Sequence, residues 1–150
     1  MVGFNDTQGN YWLGNNLLSQ LTLSRRYRLR FDLQARGDLT WYYAEYSSFN
    51  VSQGTSNYQL HVSGYSGNVG DAFRYHNGAM FTTYDRDNDL RLRDYRYFGG
   101  RDYNCAARLG GGFWYTNCAR CPVNAPRNSF KWSIGYRQFY LQSSRMWLLC

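Results

Sequence analysis

Three carboxylates at alternate positions, Asp85, Asp87 and Asp89, mark the stretch Tyr84-Asp85-Arg86-Asp87-Asn88-Asp89. In a regular strand they would share one face, with like charges roughly 7 Å apart repelling one another. A hard cation would offset that repulsion, and Ca²⁺ takes roughly six to eight oxygen ligands. The alternative is a solvated acidic turn. The template is not an EF-hand, which needs Gly where this chain has Leu90 and Glu where it has Arg96. Cysteine offers a second chemistry, at Cys105, Cys118, Cys121 and Cys150. Sequence alone leaves their pairing open. Cys118-Ala119-Arg120-Cys121 is also a CxxC, but one such pair is weak support for zinc. No strand–helix–strand pattern frames it as a redox motif. The two histidines, His61 and His76, lack an evident nucleophile and an orienting partner, so an enzyme is not expected.

Charge adds a third chemistry. The net charge is +7, carried by sixteen Arg and one Lys, Lys131. Guanidinium presents a planar fork to carboxylate, sulfate or phosphate, so the expected partner is acidic. Between Leu90 and Asn104, Arg and Tyr interleave, as they do where side chains stack on bases and meet phosphates. No recognised nucleic-acid module surrounds that stretch, and nucleic acid is not the expected partner. No apolar run is long enough to cross a membrane as a helix. The first residues lack the basic and apolar regions of a signal peptide. Sequons at Asn5 and Asn50 nevertheless suit an extracellular glycoprotein. The start is therefore expected to be a boundary inside a larger secreted protein.

These groups must be carried by short elements. Aromatic residues make up 19% of the chain, and fifteen Gly accompany them, a mixture suited to short strands and tight turns. Asn15 or Asn16 is expected to N-cap a helix bearing Leu17, Leu18 and Leu21. From Ser24 to Asp38 the period changes. Tyr27, Leu29, Phe31 and Leu33 alternate with Arg26, Arg28, Arg30 and Asp32, predicting a strand with an arginine face. That face suits a polyanion such as heparin, or is simply solvated. A turn at Arg36-Gly37-Asp38 leads to a strand over Trp41–Val51. Arg-Gly-Asp is too short to argue adhesion and serves the turn well. A third strand is predicted over Tyr58–Ser63, then a loop over Gly64–Asp71.

In order along the chain stand Tyr11-Trp12-Leu13-Gly14-Asn15, Tyr27 to Leu33, Gly64-Tyr65-Ser66-Gly67 with Gly70-Asp71, and Tyr75-His76-Asn77-Gly78. Phe81-Thr82-Thr83, the acidic stretch, Asn104-Cys105-Ala106, Gly112-Phe113-Trp114-Tyr115 and Asn117-Cys118 follow. This succession resembles the fibrinogen C-terminal globular domain of ficolins, tachylectins, tenascins and angiopoietins. The resemblance runs from about Gly3 to Leu149 and implies a single α+β domain, residues 1–150, truncated at its N-terminus. Its expected fold is a twisted antiparallel sheet with short helices and long C-terminal loops. It implies calcium held by the carboxylates of Asp87 and Asp89 and by carbonyls near Arg91 and Arg93. It implies a Cys105–Cys118 disulfide, leaving Cys121 and Cys150 to pair with each other or remain thiols. In lectin-like members a cis peptide, exposed N–H groups and an aromatic wall hold an acetyl group. Here these fall on Asn117-Cys118, Ala119 and Tyr136. The family's usual His after this Cys is Ala119, and its Asn-Gly-Tyr stretch is missing. Trp132 and Tyr136 could equally be core residues. The expected function is calcium-dependent, lectin-like recognition of acetylated glycans in innate defence. The alternatives are a tenascin-like matrix or adhesion domain that meets protein or glycosaminoglycan, and a truncated fragment without lectin activity. Secretion and oligomers formed through a preceding region complete the expectation.

Overall fold

In the computed structural model, residues 3–7, 9–37, 39–90 and 104–150 are described. Nearly all of the Arg/Tyr-rich insertion, including Arg91 and Arg93, therefore lies outside the described residues, as does Asp38. The elements run β1 (Phe4–Asn5), β2 (Tyr11–Trp12), α1 (Asn15–Ser24), β3 (Tyr27–Ala35), β4 (Trp41–Val51) and β5 (Leu60–Gly67). Later in the chain come α2 (Cys105–Leu109), β6 (Lys131–Ile134) and β7 (Arg137–Leu149). The first two strands form a small ribbon, and the others form one antiparallel sheet in the order β5-β4-β3-β7-β6. This is the expected α+β architecture.

Alternation in β3 explains its central place. Tyr27, Leu29, Phe31, Leu33 and Ala35 are buried, while Arg28, Arg30, Asp32 and Gln34 face outward. The buried face receives the irregular segments. Phe31 meets Phe73 at 4.9 Å and Trp132 at 5.3 Å, and Phe73 also contacts Phe113 and Trp114. The Trp132 indole donates to the Gly70 carbonyl at 2.9 Å. Aromatic rings thus join the sheet to both long loops, and each buried ring has an edge or face to meet.

Two local expectations are corrected. Neither Asn15 nor Asn16 caps α1; Gly14, with φ 86°, does so through its backbone. Asn15 is buried, and its side-chain oxygen accepts from the Trp12 indole at 3.2 Å, so it is not free to cap. Nor is Gly64–Gly67 a loop: it completes β5, with Tyr65 opposite Tyr46 and Gly67 opposite Ala44. Glycine there permits close approach rather than a turn. A Cβ at Gly64, whose φ is +71°, would collide with the Ser47 hydroxyl, and one at Gly67 with the Tyr43 carbonyl.

Candidate functional site

The acidic stretch is a turn, not a strand. Thr83 and Arg86 exchange backbone hydrogen bonds at 2.9 and 3.2 Å around Tyr84 and Asp85. Asp85 stands at the exposed tip and accepts from the Thr83 hydroxyl, which holds its carboxyl below the usual range. Asp85 thus stands on a turn rather than on a strand face. Asn88 anchors the rest of the turn. Its amide donates to the Phe81 carbonyl at 2.8 Å, and its N–H to the Thr82 hydroxyl at 3.2 Å.

Asp89 is tied to the disulfide segment, accepting from the Cys105 N–H at 2.9 Å. Asn104 completes the tie. It donates to the Thr83 carbonyl at 2.8 Å and caps α2 by accepting from the Ala107 N–H at 3.0 Å. Asp87, which is exposed, accepts from the Asp89 N–H at 3.3 Å. Among the described residues no three His, Cys, Asp or Glu converge as a metal site. Two carboxylates, Asp87 and Asp89, alone fall short of the usual calcium shell.

Cys105 and Cys118 are bonded, with Cα atoms 5.2 Å apart. Cys121 and Cys150 are both thiols, the second of the two arrangements expected from sequence. Cys121 is fully buried, and burial, then the nearby Asp71 charge, push its thiol well above the ordinary value. Cys150 is exposed at the end of β7. One thiol lies in the core and the other at the sheet's rim, which is why they do not bridge.

The small-ligand pocket does not assemble as expected. All described peptide bonds, Asn117–Cys118 among them, are trans. The chain turns instead through a left-handed Cys118, φ 51°, closed by the Thr116 N–H donating to the Cys118 carbonyl at 3.1 Å. Tyr136 is no wall. With Gly135 it forms the two-residue turn between β6 and β7, whose last pair is Ile134 with Arg137. Such a turn throws its side chains off the sheet's end, and Tyr136 is 106% exposed. Trp132 belongs to the core. Of the expected pocket, Asn117, Cys118 and Ala119 remain adjacent, and the Tyr75 hydroxyl reaches the Asn117 carbonyl at 3.5 Å. Both sequons fall on strands: Asn5 pairs with Tyr11, and half-buried Asn50 pairs with His61.

His76 is the residue that sequence reasoning passed over. It is fully buried; Nδ1–H donates to the Trp114 carbonyl at 2.7 Å, and Nε2 accepts from the Arg120 N–H at 3.2 Å. It therefore pins both ends of the segment that carries Asn117, Cys118 and Ala119. Burial holds its pKa down to about 4, against the Trp114 carbonyl, which favours the proton. Above it, the Arg120 guanidinium lies over the Tyr75 ring at 4.6 Å.

A curled antiparallel sheet, a disulfide-tied loop and an acidic turn define a fibrinogen-like binding domain. A family model for the fibrinogen beta and gamma chains, C-terminal globular domain, matches residues 1–136, and the chain belongs to that family. The family places it outside the cell, among binding domains rather than enzymes. It is 43% identical to mouse (Mus musculus) tenascin over 119 residues, 79% of this chain and 5% of tenascin. Human (Homo sapiens) tenascin-N is 40% identical over 135 residues, 89% of this chain and 10% of that protein. The chain thus spans only a small part of these relatives. The solved fibrinogen-like globe domain of human ANGPTL2 has TM-score 0.80 and 29% identity, over 97% of this chain and 68% of that one. A lamprey fibrin D-dimer, complexed with the peptide Gly-His-Arg-Pro-amide, has TM-score 0.80 and 26% identity, over 98% and 53%.

Proposed function

We propose that this domain is a tenascin-like matrix module that binds an acidic partner, a glycosaminoglycan above all, through the outer face of its sheet. One observation carries the reading: Arg145 stands on that face beside the exposed ring of Trp41, with no carboxylate within ion-pairing distance among the described residues. The lectin-like alternative has less support, since Asn117–Cys118 is trans and Tyr136 is far out in solvent. Calcium belongs to the proposal as a loop-stiffening ion. Asp87 and Asp89 would supply its carboxylates, and Asp89 would pass that order to Cys105. The experiment is retention on immobilised heparin beside thermal protection by N-acetylglucosamine with calcium. Retention that falls steeply with salt, without sugar protection, is the expected outcome. Protection by the sugar that chelator abolishes, with no heparin retention, would restore the lectin reading.

A further inference from the structure

On the outer sheet face three strands bring unlike groups into one groove. Asp32 on β3 lies opposite Tyr43 on β4 and Arg145 on β7, and Gln34 lies opposite Trp41. The groove measures about 290 Å³ and is lined by Arg30, Asp32, Trp41, Tyr42, Tyr43 and Arg145. That is near the lower end of small-ligand pockets, roughly 300–1,000 Å³. Its walls are already ordered. Asp32 accepts from the Arg30 Nε at 2.8 Å and from the Trp147 indole at 2.7 Å. Arg30 lies over the Tyr43 ring at 4.6 Å and also faces Glu45 at 3.7 Å. Arg28 bonds Glu45 at 2.9 Å.

Arg145 differs from its neighbours. Its guanidinium reaches across β3 to lie 5.4 Å from the centre of the Trp41 ring. Among the described residues no carboxylate lies within ion-pairing distance of it. So Asp32, Glu45, Arg28 and Arg30 balance one another, and the cation left over is held at the groove by a ring. Trp41 is 45% exposed, offering apolar surface to a ligand. A flat apolar ring and an uncompensated planar cation, side by side, are complementary to one chemistry: a flat ring that carries an anion. A pyranose with a carboxylate or sulfate has both, its C–H face for the indole and its anion for the guanidinium fork.

We propose that the groove formed by Trp41, Tyr43 and Arg145 binds one anionic pyranose ring of an acidic glycan. The ring stacks on Trp41, its anion meets Arg145, and a hydroxyl donates to Asp32. This rests on the matrix reading above and gives it a site. An acidic peptide is the competing occupant. It would satisfy Arg145 but gain little from the indole.

The test is calorimetric titration of the full chain with three hexasaccharides: heparin-derived, hyaluronan-derived and chitin-derived. They carry sulfate with carboxylate, carboxylate alone, and no anion. Trp41→Ala, Trp41→Phe, Arg145→Gln and, as a control, Arg137→Gln are compared, each checked by circular dichroism for an unchanged fold. The expected result is binding of one or both acidic sugars and none of the neutral one. Trp41→Ala and Arg145→Gln should each weaken it at least tenfold, Trp41→Phe should restore most of it, and Arg137→Gln should change it less than twofold. Wild-type binding that Trp41→Ala and Arg145→Gln leave unaltered would overturn the groove while leaving the matrix reading intact. Failure of every acidic sugar to bind would overturn the groove and the glycosaminoglycan reading together. A poly-glutamate peptide that binds as tightly as the sugars and is indifferent to Trp41→Ala would assign the site to peptide instead.

Discussion

His76 shows what a single side chain does for the recognition segment. Both its partners are main-chain atoms, of Trp114 and Arg120, 38 and 44 residues away. No spacing in sequence announces such contacts, which is why the residue reads only as part of a turn. The carboxylates of the acidic stretch were legible because charge at alternate positions needs an explanation, yet they stand on a turn rather than a strand. The neutral imidazole fixes a sign. In the unfolded chain His76 takes up a proton near pH 6.5, whereas in the fold it resists until about pH 4. Between those values the unfolded state binds more protons, so stability falls as pH drops, by on the order of 3 kcal/mol once both limits are passed. Above pH 6.5 this contribution is constant. Urea unfolding at pH 7.5 and pH 4.5 measures it: wild type should lose more stability than His76→Gln. Equal losses would mean that the buried imidazole is not the titrating group.

At the scale of elements, β3 could be read from its alternation, because a half-buried antiparallel strand must show one apolar face. Trp41–Val51 has the bounds expected of it. The end of β5 could not be read, because Gly-Tyr-Ser-Gly has the composition of a loop; the close approach of Ser47 and Tyr43 gives those glycines a strand role. The turn at Gly135-Tyr136 was hidden for a similar reason. A tyrosine near the C-terminus fits a pocket wall as well as a hairpin tip until the strands on either side are paired. The loop elements carry two predictions. Replacing both Cys105 and Cys118 by Ala should cost about 3 kcal/mol, read as a lower urea midpoint, because the bridge closes a short loop. With the wild-type domain, an aromatic disulfide reagent should titrate Cys150 in the native state and Cys121 only on unfolding. Calcium is proposed to act on the same unit. Its addition should raise the melting temperature by several degrees, and chelator should reverse the gain. Asp87→Asn should abolish the response while sparing the Asp89 bond to Cys105. An equal response in Asp87→Asn would move the ion elsewhere.

For the molecule as a whole, the family was legible because its motifs recur in order, and fifteen glycines with a high aromatic content suit short strands. What the chain recognises was less legible. Sequence showed a row of arginines on β3, but two of them, Arg28 and Arg30, spend their charge on Glu45 and Asp32. On the outer sheet face the guanidinium with no carboxylate beside it among the described residues is Arg145, on a strand more than a hundred residues later in sequence. Only the pairing of β7 with β3 brings it beside Trp41. The same folding sets Tyr136 at an exposed hairpin tip and so weakens the lectin expectation. The net charge of +7 adds attraction of an acidic partner at a distance. The most direct measurement of the central claim is the affinity for a heparin hexasaccharide at about 50 and 200 mM salt, with calcium held constant. Binding at low salt that weakens at least tenfold at the higher concentration is the predicted result, because released counterions then oppose association. Affinity that is absent at both salts, or unchanged between them, would contradict recognition of an acidic matrix partner by this domain.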